Sequence, residues 1–242
     1  MSNLIKLSLA VLVLLAGLGS CKKSEVKAEP LASLNVIAAV IGGGNVKLNT
    51  NVRDSAKAYN AKVFGIVPGK EIKLYRVSNP TVNYYKETPV TENGGLYSVF
   101  LAGQGSAFEP IFKKESIPAF YKDSIIGVRI VNLSPNSTAL NVTRASATST
   151  NAFAGVTYKQ ITDFVTFPLK TVIPTGSVSF QIRNAAGTLL ATYTLPTSAN
   201  SNYPGISIAL QRFKNISIVI KGLMGTTTGP DAFGVFPVVT TY

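Results

Sequence analysis

From residue 31 onward, apolar positions recur every second residue or in short runs, and no segment sustains a helical apolar period over four turns. Leu34-Asn35-Val36-Ile37-Ala38-Ala39-Val40 is an apolar run that stops at Gly42-Gly43-Gly44-Asn45. Val46-Lys47-Leu48-Asn49 then resumes with alternation, so a strand, a glycine hairpin turn and a second strand are predicted. Further on, Tyr84 and Tyr85 are adjacent in a strand-like stretch and are expected to point to opposite sides, which leaves one of them exposed. Helices should be few and short.

The pattern repeats. Ile66 to Tyr75 parallels Val172 to Ile182, each with a proline-led turn opening an alternating strand. Tyr97-Ser98-Val99-Phe100-Leu101-Ala102-Gly103 parallels Ile216-Ser217-Ile218-Val219-Ile220-Lys221-Gly222, and Leu34–Leu48 parallels Ile126–Val142. Three matches in the same order predict two units, joined near Phe112 to Tyr121 through Lys113, Lys114 and Pro118. The expected fold is all-β, with two tandem Ig-like or transthyretin-like β-sandwich domains at residues 33–118 and 119–242.

The first residues follow a different pattern. Lys6 precedes an uncharged apolar run from Leu7 to Leu18, too short for the roughly twenty residues of a membrane-spanning helix. It fits the apolar region of a signal peptide. The run ends in Leu18-Gly19-Ser20-Cys21, which resembles the lipobox of bacterial lipoprotein precursors. That resemblance implies cleavage after Ser20, with residues 1–20 as signal peptide, and lipid attached to the Cys21 thiol and new amino group. Several acyl chains hold durably, since each buried methylene contributes about 0.8 kcal/mol. Residues 21–32, with Pro30, would then be the lipidated cysteine and a polar tether. The expected address is the cell envelope, at the outer membrane, with membrane lipid as a partner through acylated Cys21. Lys22-Lys23-Ser24-Glu25 leaves periplasm-facing and surface-facing orientations both open.

Composition narrows the chemistry. Hydrophobic residues make up 46% and charged residues 14%, which suits a core-forming chain rather than a disordered one. With a single Cys, no internal disulfide can form, so the fold rests on its core. The net charge of +12 is spread as +2, +4 and +6 over residues 1–30, 31–118 and 119–242. The longest basic runs are pairs. A nucleic-acid partner is therefore not expected; the spread charge reads first as a solvated basic surface, and the candidate partners are an acidic polysaccharide, anionic lipid headgroups or an envelope protein. The chain has no His, which removes Ser-His-Asp and Cys-His catalysis and imidazole metal sites. No G-x-S-x-G elbow or D-x-D calcium loop occurs, and S-x-x-K appears only at Ser20–Lys23 and Ser24–Lys27. The eleven Asp and Glu are scattered. Gly42-Gly43-Gly44 lacks the Lys-Ser/Thr of a phosphate loop. No enzyme activity, cofactor or metal is expected, and the absence of Trp argues against a sugar site built on stacking. Asp54-Ser55-Ala56 and Asp123-Ser124-Ile125 resemble O-glycosylation tripeptides of some exported bacterial proteins, which makes Ser55 and Ser124 candidate modification sites.

Tyr97 to Gly103, then Pro118, then Gly127-Val128-Arg129-Ile130-Val131-Asn132-Leu133-Ser134-Pro135-Asn136 resemble the bacterial family described as domain of unknown function 4397, over about residues 33–225. In the first repeat the signature has diverged to Ile37-Ala38-Ala39-Val40-Ile41-Gly42. The resemblance implies extracytoplasmic β-sandwich modules and carries no activity. Physically, Val128, Ile130 and Leu133 should enter the core while Arg129 faces out or pairs with a carboxylate. Asn132 and Ser134 should bond turn backbone, and Pro135 should fix the turn. The functional expectation is a non-enzymatic, lipid-anchored binding or adhesion-type module for polysaccharide or protein. The alternative is a fimbrillin-like structural subunit assembling by strand addition, with Phe233–Tyr242 either a donor strand or the last strand of its own unit.

Overall fold

The computed structural model describes residues 31–51, 53–169, 178–197 and 207–240. The first half runs β1 (Ala32–Ala38), β2 (Val46–Leu48), β3 (Asn60–Ile66), β4 (Ile72–Arg76), β5 (Asn79–Glu87) and β6 (Leu96–Leu101). The two-residue β7 (Gly103–Gln104) and β8 (Ala107–Phe108) follow, then β9 (Ile111–Lys114). The second half runs β10 (Ile125–Asn132), β11 (Leu140–Arg144), β12 (Ala147–Val156), β13 (Val165–Pro168), β14 (Ser179–Arg183) and β15 (Leu189–Thr194). One helical turn, α1 (Ile208–Gln211), precedes β16 (Asn215–Lys221) and β17 (Gly234–Val239). The protein is all-β, as its alternation and turn residues predict.

Four sheets carry the fold. Sheet I has the order β3-β1-β6-β9 and sheet III the order β13-β10-β16-β17. In each, the second strand runs antiparallel to the first and parallel to the third, and the fourth is antiparallel to the third. Sheet II is β2-β4-β5, and sheet IV is β12-β11-β14-β15. The described strands of the matches correspond, β1 with β10, β2 with β11, β4 with β14, and β6 with β16, while residues 172–177, with the second proline-led turn, lie outside the described residues.

Three apolar clusters separate successive sheets. Leu34, Val36, Val99 and Leu101 of sheet I meet Leu48, Ile72 and Leu74 of sheet II. Val128, Ile130, Ile216 and Ile218 of sheet III meet Val142, Phe180 and Ile182 of sheet IV. The opposite faces of sheets I and III then meet each other, through Ile37, Phe100, Val131, Val219, Phe236 and Val238. The layer order is II-I-III-IV. Sheets I and III are covered on both faces, so their central strands read as continuous apolar runs rather than as alternation. Val128, Ile130 and Leu133 are all buried in the core as expected, the first two between sheets III and IV and Leu133 between sheets I and III.

Gly103 and Gly222 close the two matched stretches just beyond β6 and β16, with φ of +102° and +82°. A Cβ there would lie 2.0 Å from the Ala107 carbonyl oxygen and 2.1 Å from that of Ala232. Glycine at the end of each match is thus a steric requirement.

Two local expectations change. Gly42 to Asn45 does not close a hairpin, because β1 and β2 lie in different sheets and the turn carries the chain between them. Tyr84 and Tyr85 are both buried, at 2% and 8% exposure. Leu74 pairs with Tyr85 and the next residue, Tyr75, with Asn83, so Tyr84 is the extra residue of a bulge. The bulge breaks the two-residue alternation and turns both rings inward. Tyr84 packs edge-on against Phe108, and Tyr85 stacks on Phe112.

Candidate functional site

Ser20, Cys21 and the tether to Pro30 lie outside the described residues. Ser55 is half-buried beside Ala56, whose amide and carbonyl both bond Val46 at 2.8 Å. Ser124 is exposed in the bend before β10, where its carbonyl accepts from the Leu169 amide at 2.8 Å. The two candidate modification sites are therefore unequal in access, and Ser124 is the open one.

The Val128-to-Pro135 signature builds the seam between sheets I and III. Arg129 is 3% exposed and Glu115, from the segment between β9 and β10, is 8% exposed. The guanidinium donates from Nη1 and Nη2 to the two Glu115 carboxylate oxygens, each at 2.8 Å. Its Nε donates to Ser217 Oγ at 2.8 Å, and Ser217 shares a 2.7 Å hydroxyl bond with Thr240. The rings of Phe164 and Phe100 flank it at 4.8 and 5.7 Å. Burial alone would push the Glu115 carboxyl up, but the hydrogen bonds and charge of Arg129 hold it below the usual carboxylate range. Of the two orientations open to Arg129, the carboxylate pair is the one adopted. The turn behaves as its residue types dictate. Asn132 Oδ1 accepts from the Ser134 amide, its Nδ2 donates to Ser137 Oγ and the Val156 carbonyl, and Ser134 Oγ donates to the Gly222 carbonyl at 2.6 Å. In the first half Asn35 and Ala38 occupy the positions of Arg129 and Asn132 in the strand pairing, so this network exists once.

The flanks of the seam are related by an approximate two-fold exchange. Tyr59, just before β3, donates its hydroxyl to Asp231 in the loop before β17, and Gly42 N donates to the same carboxylate at 3.1 Å. Tyr158 and Lys159, before β13, reach Glu109, before β9, at 3.3 and 2.8 Å. Tyr59 and Lys159 share left-handed φ values of 54° and 65°, and their amides donate to Ala38 and Asn132 carbonyls at 2.7 Å. Burial, then the hydrogen bond and charge of Asp231, raise the Tyr59 hydroxyl above its ordinary value. Burial and then Glu109 push Tyr158 up to about 12. Lys221 Nζ sits 4.5 Å over the Tyr59 ring and donates to the Pro230 and Ala232 carbonyls at 2.8 Å.

The exposed surfaces lie at the two ends of the stack. On the outer face of sheet II, Lys47 pairs with Tyr75 and Lys73 with Lys86. Lys73 Nζ lies 5.6 Å over the Tyr75 ring. On sheet IV the same pairing positions hold Asn141 with Arg183 and Gln181 with Thr192. Beside sheet IV, an open cleft of about 320 Å³ is lined by residues 189–190 of β15 and by residues 224–227 and Phe233 of the loop before β17. It contains no charged group. Among the described residues no group of three or more His, Cys, Asp or Glu could hold a metal ion, and no helix is long and apolar enough to cross a membrane.

Strand edges differ in their protection. β3 carries Lys62, β9 carries Lys113 and Lys114, β5 carries Pro80 and Lys86, and β2 carries Lys47. β13 ends in Pro168, and β17 contains Pro237. These are the usual devices against edge-to-edge pairing. β12 and β15 carry neither charge nor proline, but register shifts interrupt the pairing of each with its neighbour.

The candidate residues that sequence reasoning missed are Glu115, Asp231 and Lys86. Glu115 and Asp231 sit in connections without periodicity, and the position of Lys86 depends on pairing register.

No family model matches the chain, and no curated protein matches it. A solved structure, the C-terminal domain of AlgF from P. aeruginosa, aligns at 16% identity over 36% of this chain and 100% of that one, with a TM-score of 0.28, too low to carry an argument about this protein.

Proposed function

We propose that this is a non-enzymatic cell-envelope lipoprotein, held at the outer membrane by lipid on Cys21, with paired β-sandwiches that bind polysaccharide or protein. The observation that carries the anchoring is the run Leu7–Leu18 ending in Leu18-Gly19-Ser20-Cys21. Binding rather than chemistry is supported by where the exposed polar side chains converge. They lie on an open sheet face, with no acid-base pair facing across a cleft among the described residues. The resemblance of residues 97–136 to the domain of unknown function 4397 family agrees with an extracytoplasmic sandwich protein. Metabolic labelling with a palmitate analogue tests the anchor: the wild type takes up label and Cys21→Ser does not. Label in Cys21→Ser would remove the anchoring half of the proposal. Saturable binding of the mature chain to a glycan array or to envelope fractions tests the other half. Protease shaving of intact cells decides between surface-facing and periplasm-facing orientation.

One observation favours a second reading, a subunit that assembles by strand addition. β12 is a ten-residue edge with neither charge nor proline, although register shifts against β11 interrupt its regularity. The C-terminal strand is not a free donor, since Gly234–Val239 pairs along β16. A chain that stays monomeric in solution and in envelope extracts would eliminate assembly.

A further inference from the structure

We propose that the outer face of sheet II, through Lys47, Lys73 and Lys86, is the binding face for an acidic polysaccharide chain. The inference rests on the reading of the protein as a binding module and assigns that module its face and ligand class.

The placement of the lysines is the first argument. Lys73 and Lys86 are directly opposite on neighbouring antiparallel strands, where Cβ atoms stand about 5 Å apart. Like charges in that arrangement repel and weaken the pair of strands. Lys47 lies one strand over, beside Tyr75 and two residues along from Lys73, a step of about 7 Å. Three cations thus share one face with little to neutralise them. Glu71 approaches Lys86 at 3.9 Å with both side chains exposed, and no described carboxylate comes within 4.0 Å of Lys47 or Lys73. The Tyr75 ring under Lys73 Nζ holds that ammonium over the middle of the sheet.

The second argument is an internal control. Sheet IV repeats the same pairing and places Asn141, Gln181 and Thr192 where sheet II has Lys47, Lys73 and Lys86. Neutral residues satisfy the fold at those positions, and Lys is a poorer strand former than Thr. The lysines are therefore surplus to the architecture, and their mutual repulsion is relieved when an anion lies across them. A linear chain of carboxylated or sulfated sugars presents repeated negative charge to a flat face and needs no pocket. A lipid surface fits less well. Interfacial helices and anchors add apolar burial to charge, whereas no strand position on this face carries an exposed large apolar side chain.

The test uses the mature chain with polygalacturonate as the probe and dextran of equal length as the neutral control, by titration calorimetry over a salt series. The wild type should bind polygalacturonate saturably and lose affinity as salt rises. The variant Lys47→Asn/Lys73→Gln/Lys86→Thr imports the sheet IV residues, so it should fold, and it should bind at least tenfold more weakly. Removing the same charge elsewhere, with Lys113→Gln/Lys122→Gln/Lys214→Gln, should change affinity less than twofold. Lys73→Glu places opposite charges across the strands and should raise the unfolding temperature while weakening binding, a combination that a structural role for Lys73 does not produce. Equal losses in the two triple variants would overturn the assignment of the face, as would binding to phosphatidylglycerol vesicles without binding to polygalacturonate. Saturable binding to a neutral glycan or an envelope protein, unchanged in the first variant, would overturn this inference while leaving the binding module intact. Absence of any saturable ligand would overturn both.

Discussion

Replacing Glu115 with Gln keeps the shape of the side chain and removes its charge, leaving the Arg129 guanidinium buried between sheets I and III. Arg129 is 3% exposed, and its remaining charge partners are one hydroxyl, Ser217 Oγ, and two aromatic rings. Breaking a buried ion pair from one side costs about 3–5 kcal/mol. For a chain of this length a kcal/mol moves the thermal midpoint by about 2–4 °C, so Glu115→Gln should lower it by about 6–20 °C at pH 7. The double variant Glu115→Leu/Arg129→Met removes both charges and should recover most of that loss, because the seam around it is apolar. Acid adds an independent signature. The Glu115 carboxyl titrates below its ordinary range in the folded protein. Its contribution is therefore complete above the unfolded carboxylate pKa and is lost as pH falls through the folded value. Glu115→Gln should flatten the acid limb of stability against pH. Urea unfolding of the wild type, Glu115→Leu, Arg129→Met and their double variant at pH 7 gives the coupling energy directly, and the wild type and Glu115→Gln are compared across the acid range. A loss below about 1 kcal/mol in Glu115→Gln, or no recovery in the double variant, would refute the account of the seam.

Gly222→Ala should destabilise by more than about 1 kcal/mol in chemical denaturation, because the new Cβ meets the Ala232 carbonyl at a left-handed φ. Phe236→Ala should lose about 3–5 kcal/mol, the cost of a cavity between sheets rather than at a free surface. In a spectrophotometric titration Tyr85 and Tyr158 should ionise near pH 12, held up by burial and by Glu87 and Glu109 respectively. Folded pKa values raised in this way stabilise fully below pH 10 and less as pH rises through 12, so alkaline unfolding should accompany the late titration steps.

The strand content and the matching of described strands could be read from residues alone, because two-residue alternation and a turn such as that at Pro68 are local signals. The seam could not. An apolar run such as Leu34 to Val40 looks the same whether one or two sheets cover it, so burial of Leu133 was legible but its place between sheets I and III was not. Signature chemistry foretold the Asn132 and Ser134 turn and narrowed Arg129 to two states, but it had no means of finding Glu115. The tyrosine pair was misjudged because a bulge is a property of two strands in register, and Tyr84 becomes the extra residue only when Leu74 meets Tyr85. The same dependence hid Lys86: Lys47 and Lys73 alternate visibly, whereas their opposition to a third lysine exists only in the folded sheet.

The approximate exchange across the seam, in which Tyr59 reaches Asp231 as Tyr158 reaches Glu109, has the form of a homodimer whose subunits have been joined end to end. A fused dimer is free in a way that a true one is not. In a true dimer every substitution appears twice, so a cation cluster on one outer sheet would be copied onto the other. Here one half concentrates the seam chemistry at Arg129 and holds Arg183 beside neutral Asn141, Gln181 and Thr192 on its outer sheet, while the other lacks that network and gathers three lysines on its own. Fusion lets the two halves differ: the buried ion pair belongs to one half and sits at the central seam, and the lysine cluster belongs to the outer sheet of the other.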